Sequence, residues 1–107
     1  MLLLMLLSAP AFGQAADMAK ARRAYEAGDY RAALKEFNKA ADEGSAEAAH
    51  WLGLLHDRGH GMSRDPRAAY LWFSKAAAQG YAEAQRVIGV YHELGKVGDQ
   101  DLAQAAV

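Results

Sequence analysis

A chain of 107 residues, 52% of them apolar, has the length for one small domain, and its net charge of −1 gives no field that would draw nucleic acid or a membrane surface. The absence of cysteine excludes disulfides, thiolate metal sites, cysteine nucleophiles and lipoprotein acylation, so stability rests on packing. Alanine is abundant and β-branched residues are scarce, a composition that predicts an all-α protein because alanine gives up almost no side-chain entropy on entering a helix.

Residues 1–13 are a short apolar run followed by small residues, with Ala9-Pro10-Ala11 and Ala11-Phe12-Gly13 as cleavage candidates, and they read as a secretory signal peptide. The run is much shorter than the roughly 20 residues that span a bilayer, so no membrane insertion is expected once the signal is removed. No Lys or Arg precedes Lys20, which places the basic start of such a signal upstream of Met1. From Ala15 to Ala27 a polar-faced helix is expected, broken by Gly28-Asp29-Tyr30, where Gly28 accepts positive φ and Asp29 caps the next helix. That helix, Tyr30 to Glu43, carries Ala33, Leu34, Phe37, Ala40 and Ala41 as one buried stripe. Gly44 ends it and Ser45 starts another, with Ala48, Trp51, Leu52, Leu55 and His56 on one face. Within that helix Gly53 points to close approach by a paired helix, and Gly89 repeats the signal. After the loop Gly59 to Arg64, Asp65-Pro66 marks a new helix start, since proline's missing N–H costs nothing at the first helical position. This helix is expected to bury Ala69, Trp72, Phe73, Ala76 and Ala77, and the following one, from Tyr81, to bury Ala84, Val87, Ile88, Tyr91 and His92.

The elements recur. Shifted by 36 positions, Gly44 falls on Gly80, Ala48 on Ala84, Gly53 on Gly89, His56 on His92, Gly59 on Gly95 and Asp65 on Asp101. Ala69, Phe73, Ala76 and Ala77 fall likewise on Ala33, Phe37, Ala40 and Ala41. A period of this length predicts an α-α superhelix, a solenoid of stacked antiparallel helix pairs. The expected domain is 15–107, with units of about 15–43, 44–79 and 80–107, or about two and a half repeats. Aligning Asp101 with Asp65 sets Val107 over Leu71, one residue short of a counterpart to Trp72, so a truncated array is expected.

The pattern Ala46-x-Ala48-x-x-x-Leu52-Gly53-x-x-His56-x-x-Gly59-x-Gly61-Met62-x-x-Asp65-x-x-x-Ala69-x-x-Trp72-Phe73-x-x-Ala76-Ala77-x-x-Gly80 resembles the Sel-one-like repeat, a relative of the tetratricopeptide repeat with a longer inter-helix loop. His56 and His92 stand where the family usually has Tyr. The first unit, with its tight Gly28-Asp29-Tyr30 turn, is closer to an ordinary tetratricopeptide repeat.

Few residues are candidates for carrying chemistry. His56 and His60 are four apart with Asp57 adjacent, a spacing that suits metal ligands on one helix face. However, Gly59 and Gly61 end the helix between them, and His56 and His92 read as packed rings whose polar edges reach the loop backbone. Of the serines, Ser8 lies in the signal, Ser45 caps a helix, Ser63 is in the loop, and Ser74 sits beside Lys75 on an outer face. There is no Ser-x-x-Lys and no phosphate-binding glycine loop, so neither an enzyme nor a cofactor or metal site is expected. In arrays of this kind the first helix of each unit lines the concave side. The resemblance therefore implies a partner-binding row of Met18, Arg22 and Tyr25, then His50, Leu54 and Asp57, then Arg86, Val90 and Glu93. That mixture of aliphatic, basic and acidic groups suits an extended peptide or partner helix better than a phosphate backbone. The expected protein is a non-catalytic interaction scaffold of the bacterial cell envelope, periplasmic or secreted, with a protein or peptide partner. The alternative is a periplasmic binder of peptidoglycan-like or β-lactam ligands.

Overall fold

In the computed structural model residues 18–94 are described, and the segments read as a signal peptide and as the end of the third unit lie outside them. Residues 18–26 are helical (α1), followed by α2 (Tyr30–Asp42), α3 (Ala46–Arg58), α4 (Pro66–Ala78) and α5 (Ala82–Glu93). No strand occurs among the described residues. The described residues are thus two helix pairs and the first helix of a third.

Local chemistry sets the helix starts. Asp29, Ser45 and Asp65 each accept a hydrogen bond from the backbone N–H three residues on, Ala32 at 3.2 Å, Ala48 at 3.0 Å and Ala68 at 3.1 Å. Each cap satisfies a donor that the helix itself cannot, a contribution of about 1 kcal/mol. Pro66 follows Asp65 at the first turn of α4, where no N–H is required. The exits of α2 and α4 repeat bond for bond. Gly44 donates to the Ala41 carbonyl and Gly80 to that of Ala77, both at 2.9 Å, and Ser45 and Tyr81 close the same turn on Ala40 and Ala76. Turns this short send the next helix back antiparallel, and the period of 36 in the sequence is thereby a period in space.

Packing follows from where the small residues lie. α3 is the middle layer, packed against α2 on one side and α4 on the other, and α4 packs in turn against α5. Ala48, Leu52 and Leu55 of α3 face Met18, Ala21, Ala33, Phe37 and Ala40, with the Trp51 ring stacked on Phe37 at 5.1 Å. On its other side Ala49 meets Ala76 and Ala84, while Ala69, Phe73 and Tyr91 form a neighbouring cluster. Phe37 and Phe73 are fully buried, each contributing about 2–3 kcal/mol of burial.

Gly53 is where α3 and α4 meet. A Cβ built there would lie 2.6 Å from two atoms of the Phe73 ring, so the ring occupies the space a side chain would need. The equivalent Gly89 has nothing within 4 Å among the described residues, and the close packing expected there is not found. The long loop also folds back on the first unit. Gly61, at φ +82°, lies against Tyr30, where a Cβ would come within 3.0 Å of the tyrosine's own Cβ. His60 stacks on the Tyr30 ring at 4.4 Å, nearly parallel.

Candidate functional site

Between α3 and α5 the stack leaves a hollow of about 430 Å³, lined by His50, Glu83, Arg86, Val87, Val90 and Tyr91. α5 supplies most of it because Glu83, Arg86, Val87 and Val90 follow the i, i+3, i+4, i+7 spacing of a single helical stripe. The valines form an apolar wall, Val90 standing half exposed, and Glu83 and Arg86 sit above them at the N-terminal end of the helix.

The polar groups of the hollow differ in how firmly they are held. Arg86 lies 4.0 Å from Glu83 with 74% of its side chain exposed, a pair too solvated and too long to fix either partner. Tyr91 is anchored, its hydroxyl donating to Asp57 Oδ1 at 2.7 Å, and burial followed by that bond pushes its pKa up. Tyr81, at the entrance to α5, donates to Glu83 at 3.3 Å and is raised to about 12, by burial first and then by the carboxylates of Glu47 and Glu83. The His50 ring is wedged between Phe73 and Tyr81 with centroids 5.3 and 5.2 Å away. Burial lowers its pKa despite the opposing pull of Glu83 and Glu47, so the ring is held neutral. Its buried Nδ1 has no hydrogen-bond partner among the described residues. The site thus offers a loosely held guanidinium, a carboxylate, an apolar wall and an uncharged imidazole, groups that recognise a ligand.

Of the row expected from the sequence, His50, Arg86 and Val90 come together in this hollow. Met18 does not, being only 3% exposed in the core where α1 meets α2 and α3, with the Ser45 hydroxyl on its sulfur at 3.9 Å. His50 is itself buried rather than open, because α3 is covered on both sides. Arg22 is engaged by Glu47 at 2.8 Å, and the same carboxylate oxygen accepts from Trp51 Nε1 at 3.4 Å. Tyr25 is gathered into an aromatic cluster with Tyr30, Trp51 and His60, its hydroxyl accepting from Arg58 at 2.8 Å. Leu54 packs against the cluster of Ala69, Phe73 and Tyr91, Asp57 holds Tyr91, and Glu93 is exposed at the end of α5.

Glu83 has no place in the expected row, and Val87 and Tyr91 are expected as buried residues of α5 rather than as part of a site. Stepping back one turn from Arg86 and Val90 reaches Glu83 and Val87, a signal that was available. Tyr91 was placed in the core, where most of it does lie. His56 and His92 each depart from the expectation. His56 Nδ1 is buried without a hydrogen-bond partner among the described residues, and contact with the loop runs instead through the His56 carbonyl, which accepts from Asp65 N–H at 2.9 Å. His92 is exposed, edge-on to Tyr70 rather than buried. His60 turns onto Tyr25 and Tyr30, and no group of three His, Asp or Glu side chains able to hold a metal occurs among the described residues.

The family model of the Sel1 repeat matches residues 46–81 and again residues 82–106. Those two stretches are the α3–α4 pair and the unit opened by α5. No curated protein matches the chain.

Proposed function

Because the chain belongs to the Sel1 repeat family, whose repeats are protein–protein interaction modules and typically non-catalytic scaffolds, we propose that it holds a protein partner in the hollow between α3 and α5. The observation that carries this reading is Arg86. Its guanidinium is mostly solvated, weakly tied to Glu83, and set over the valine wall of a hollow large enough for several side chains. An acidic side chain or a terminal carboxylate of an extended peptide takes Arg86 in two parallel hydrogen bonds, which orients the peptide, while Val87 and Val90 cover its apolar residues. The peptide sets its polar groups against Glu83 and the neutral His50.

Export supports the setting in which such a scaffold works. The apolar run with small residues in 1–13 reads as a signal, and no helix among the described residues is long and apolar enough to cross a membrane. We place the protein in the bacterial cell envelope, periplasmic or secreted. The test is affinity capture of envelope proteins on immobilised chain, repeated with Arg86→Glu. A specific partner retained by the native chain and lost with Arg86→Glu supports the reading. A partner retained equally by both overturns the site. A thermal shift with a peptidoglycan fragment or a β-lactam, without any captured protein, would instead favour the small-ligand alternative.

A further inference from the structure

The outer surface of the stack, away from the hollow, carries charge in a regular pattern. On α2, Arg31, Lys35 and Lys39 follow at four-residue steps and all are exposed. On α4 the positions 36 residues later hold Arg67, Leu71 and Lys75, again exposed. Because equivalent positions of stacked units share a face, these form two parallel basic rows. Among the described residues, none of Arg31, Lys35, Lys39 and Arg67 has a carboxylate within ion-pair distance. Asp42 closes the row on α2, and its equivalent on α4 is Ala78. A net charge of −1 therefore conceals a segregated surface.

Leu71 interrupts the second row, 58% exposed, and beside it a groove of about 260 Å³ runs between Ala68, Leu71, Trp72 and Lys75. Lys75 lies 5.0 Å over the Trp72 ring, where a cation–π contact holds its charge at the groove's edge. We propose that this outer face is a second docking surface, separate from the hollow, for an acidic peptide segment. One leucine-sized side chain of that segment fills the groove, and its carboxylates lie along Arg67 and Lys75 and across to Lys35 and Lys39. Charge complementarity selects the occupant. Cations four residues apart on a helix are spaced about 6 Å along its axis, close to the spacing of alternate side chains on an extended chain. Leu71 alone stands out as a large apolar group, too little for the wide apolar face that an interfacial helix inserts into lipid. The Trp72 face is covered by Lys75, so it offers no platform for stacking a base.

The test is fluorescence anisotropy of a fluorescein-labelled peptide of glutamates flanking one central leucine, titrated with the full chain at low and high salt. In the Arg86→Glu background, which removes the hollow's own cation, salt-sensitive binding is expected to remain, and to weaken about tenfold when Lys35→Glu with Arg67→Glu, or Leu71→Ser, is added. These side chains are exposed, and circular dichroism establishes that each variant keeps its helix content. Lys39→Glu with Lys75→Glu serves as an independent second pair. Absence of binding in the Arg86→Glu background, indifference there to Leu71→Ser, or tighter binding to phosphatidylglycerol vesicles than to the peptide would each overturn the proposal.

Discussion

Gly53 of α3 and Gly89 of α5 occupy the same position in successive units, yet one is pressed against a phenylalanine ring and the other faces open space among the described residues. The α3–α4 layer is closed by shape, since the ring of Phe73 enters the notch left by a missing side chain. α5 is held without such a notch, by Ala84, by Val87, Ile88 and Tyr91 packed against Phe73, and by hydrogen bonds from Tyr91 to Asp57 and from Gln85 to the Ala77 carbonyl. Its outward side keeps Val90 and Leu94 exposed. Among the described residues the α3–α4 pair is therefore a closed layer, and α5 presents an open wall. The hollow lies on the open wall.

Substitutions separate the two regions. Phe73→Ala empties the centre of the closed layer and should cost about 3–5 kcal/mol, measured by urea unfolding, whereas Leu94→Ala on the open side should stay within about 0.5 kcal/mol. Tyr91→Phe removes the tie between α5 and α3 and leaves Asp57 with Arg64 at 4.0 Å, so about 1.5–3 kcal/mol should be lost. Hydrogen exchange should rise in α5 before it rises in α4. A smaller effect, about 1 kcal/mol, is expected of Asp65→Ala, which strips the cap from α4 but leaves the notch filled.

The pH dependence sharpens the same contrast at the hollow. The folded-state pKa of His50 lies below 6.5, so the stability it confers is present above that pH and declines as pH falls through the lowered value. His50→Gln should flatten this acid limb in melting experiments. Tyr81 and Tyr91 have raised pKa values, so their contribution is present below about 10 and is lost as pH climbs towards and beyond about 12. Tyr91→Phe should reduce the alkaline loss.

Much of the fold was legible because it is written in residues with one dominant local role. Asp29, Ser45 and Asp65-Pro66 fix helix starts by capping, and the glycines at 28, 44 and 80 take the positive φ of helix exits. The site was less legible because exposure depends on what arrives from elsewhere in the chain. The family resemblance, carried over by position, puts Met18 and His50 on an open row, but the turn at Ser45 closes over Met18 and the Tyr81 turn covers His50. Tyr25 was lost from that row for a similar reason, since the loop at His60 and Gly61 folds back onto the first unit. Arg86 and Val90 kept their expected places because little among the described residues packs over α5.

The closed layer and the open wall are tested most directly by melting Gly53→Ala and Gly89→Ala side by side. Gly53→Ala should lose about 1–2 kcal/mol, the clash with a buried ring outweighing the gain in helix propensity, while Gly89→Ala should gain about 0.5–1 kcal/mol. Shifts of opposite sign are the predicted result, and destabilisation of both variants, or stabilisation of both, would contradict it.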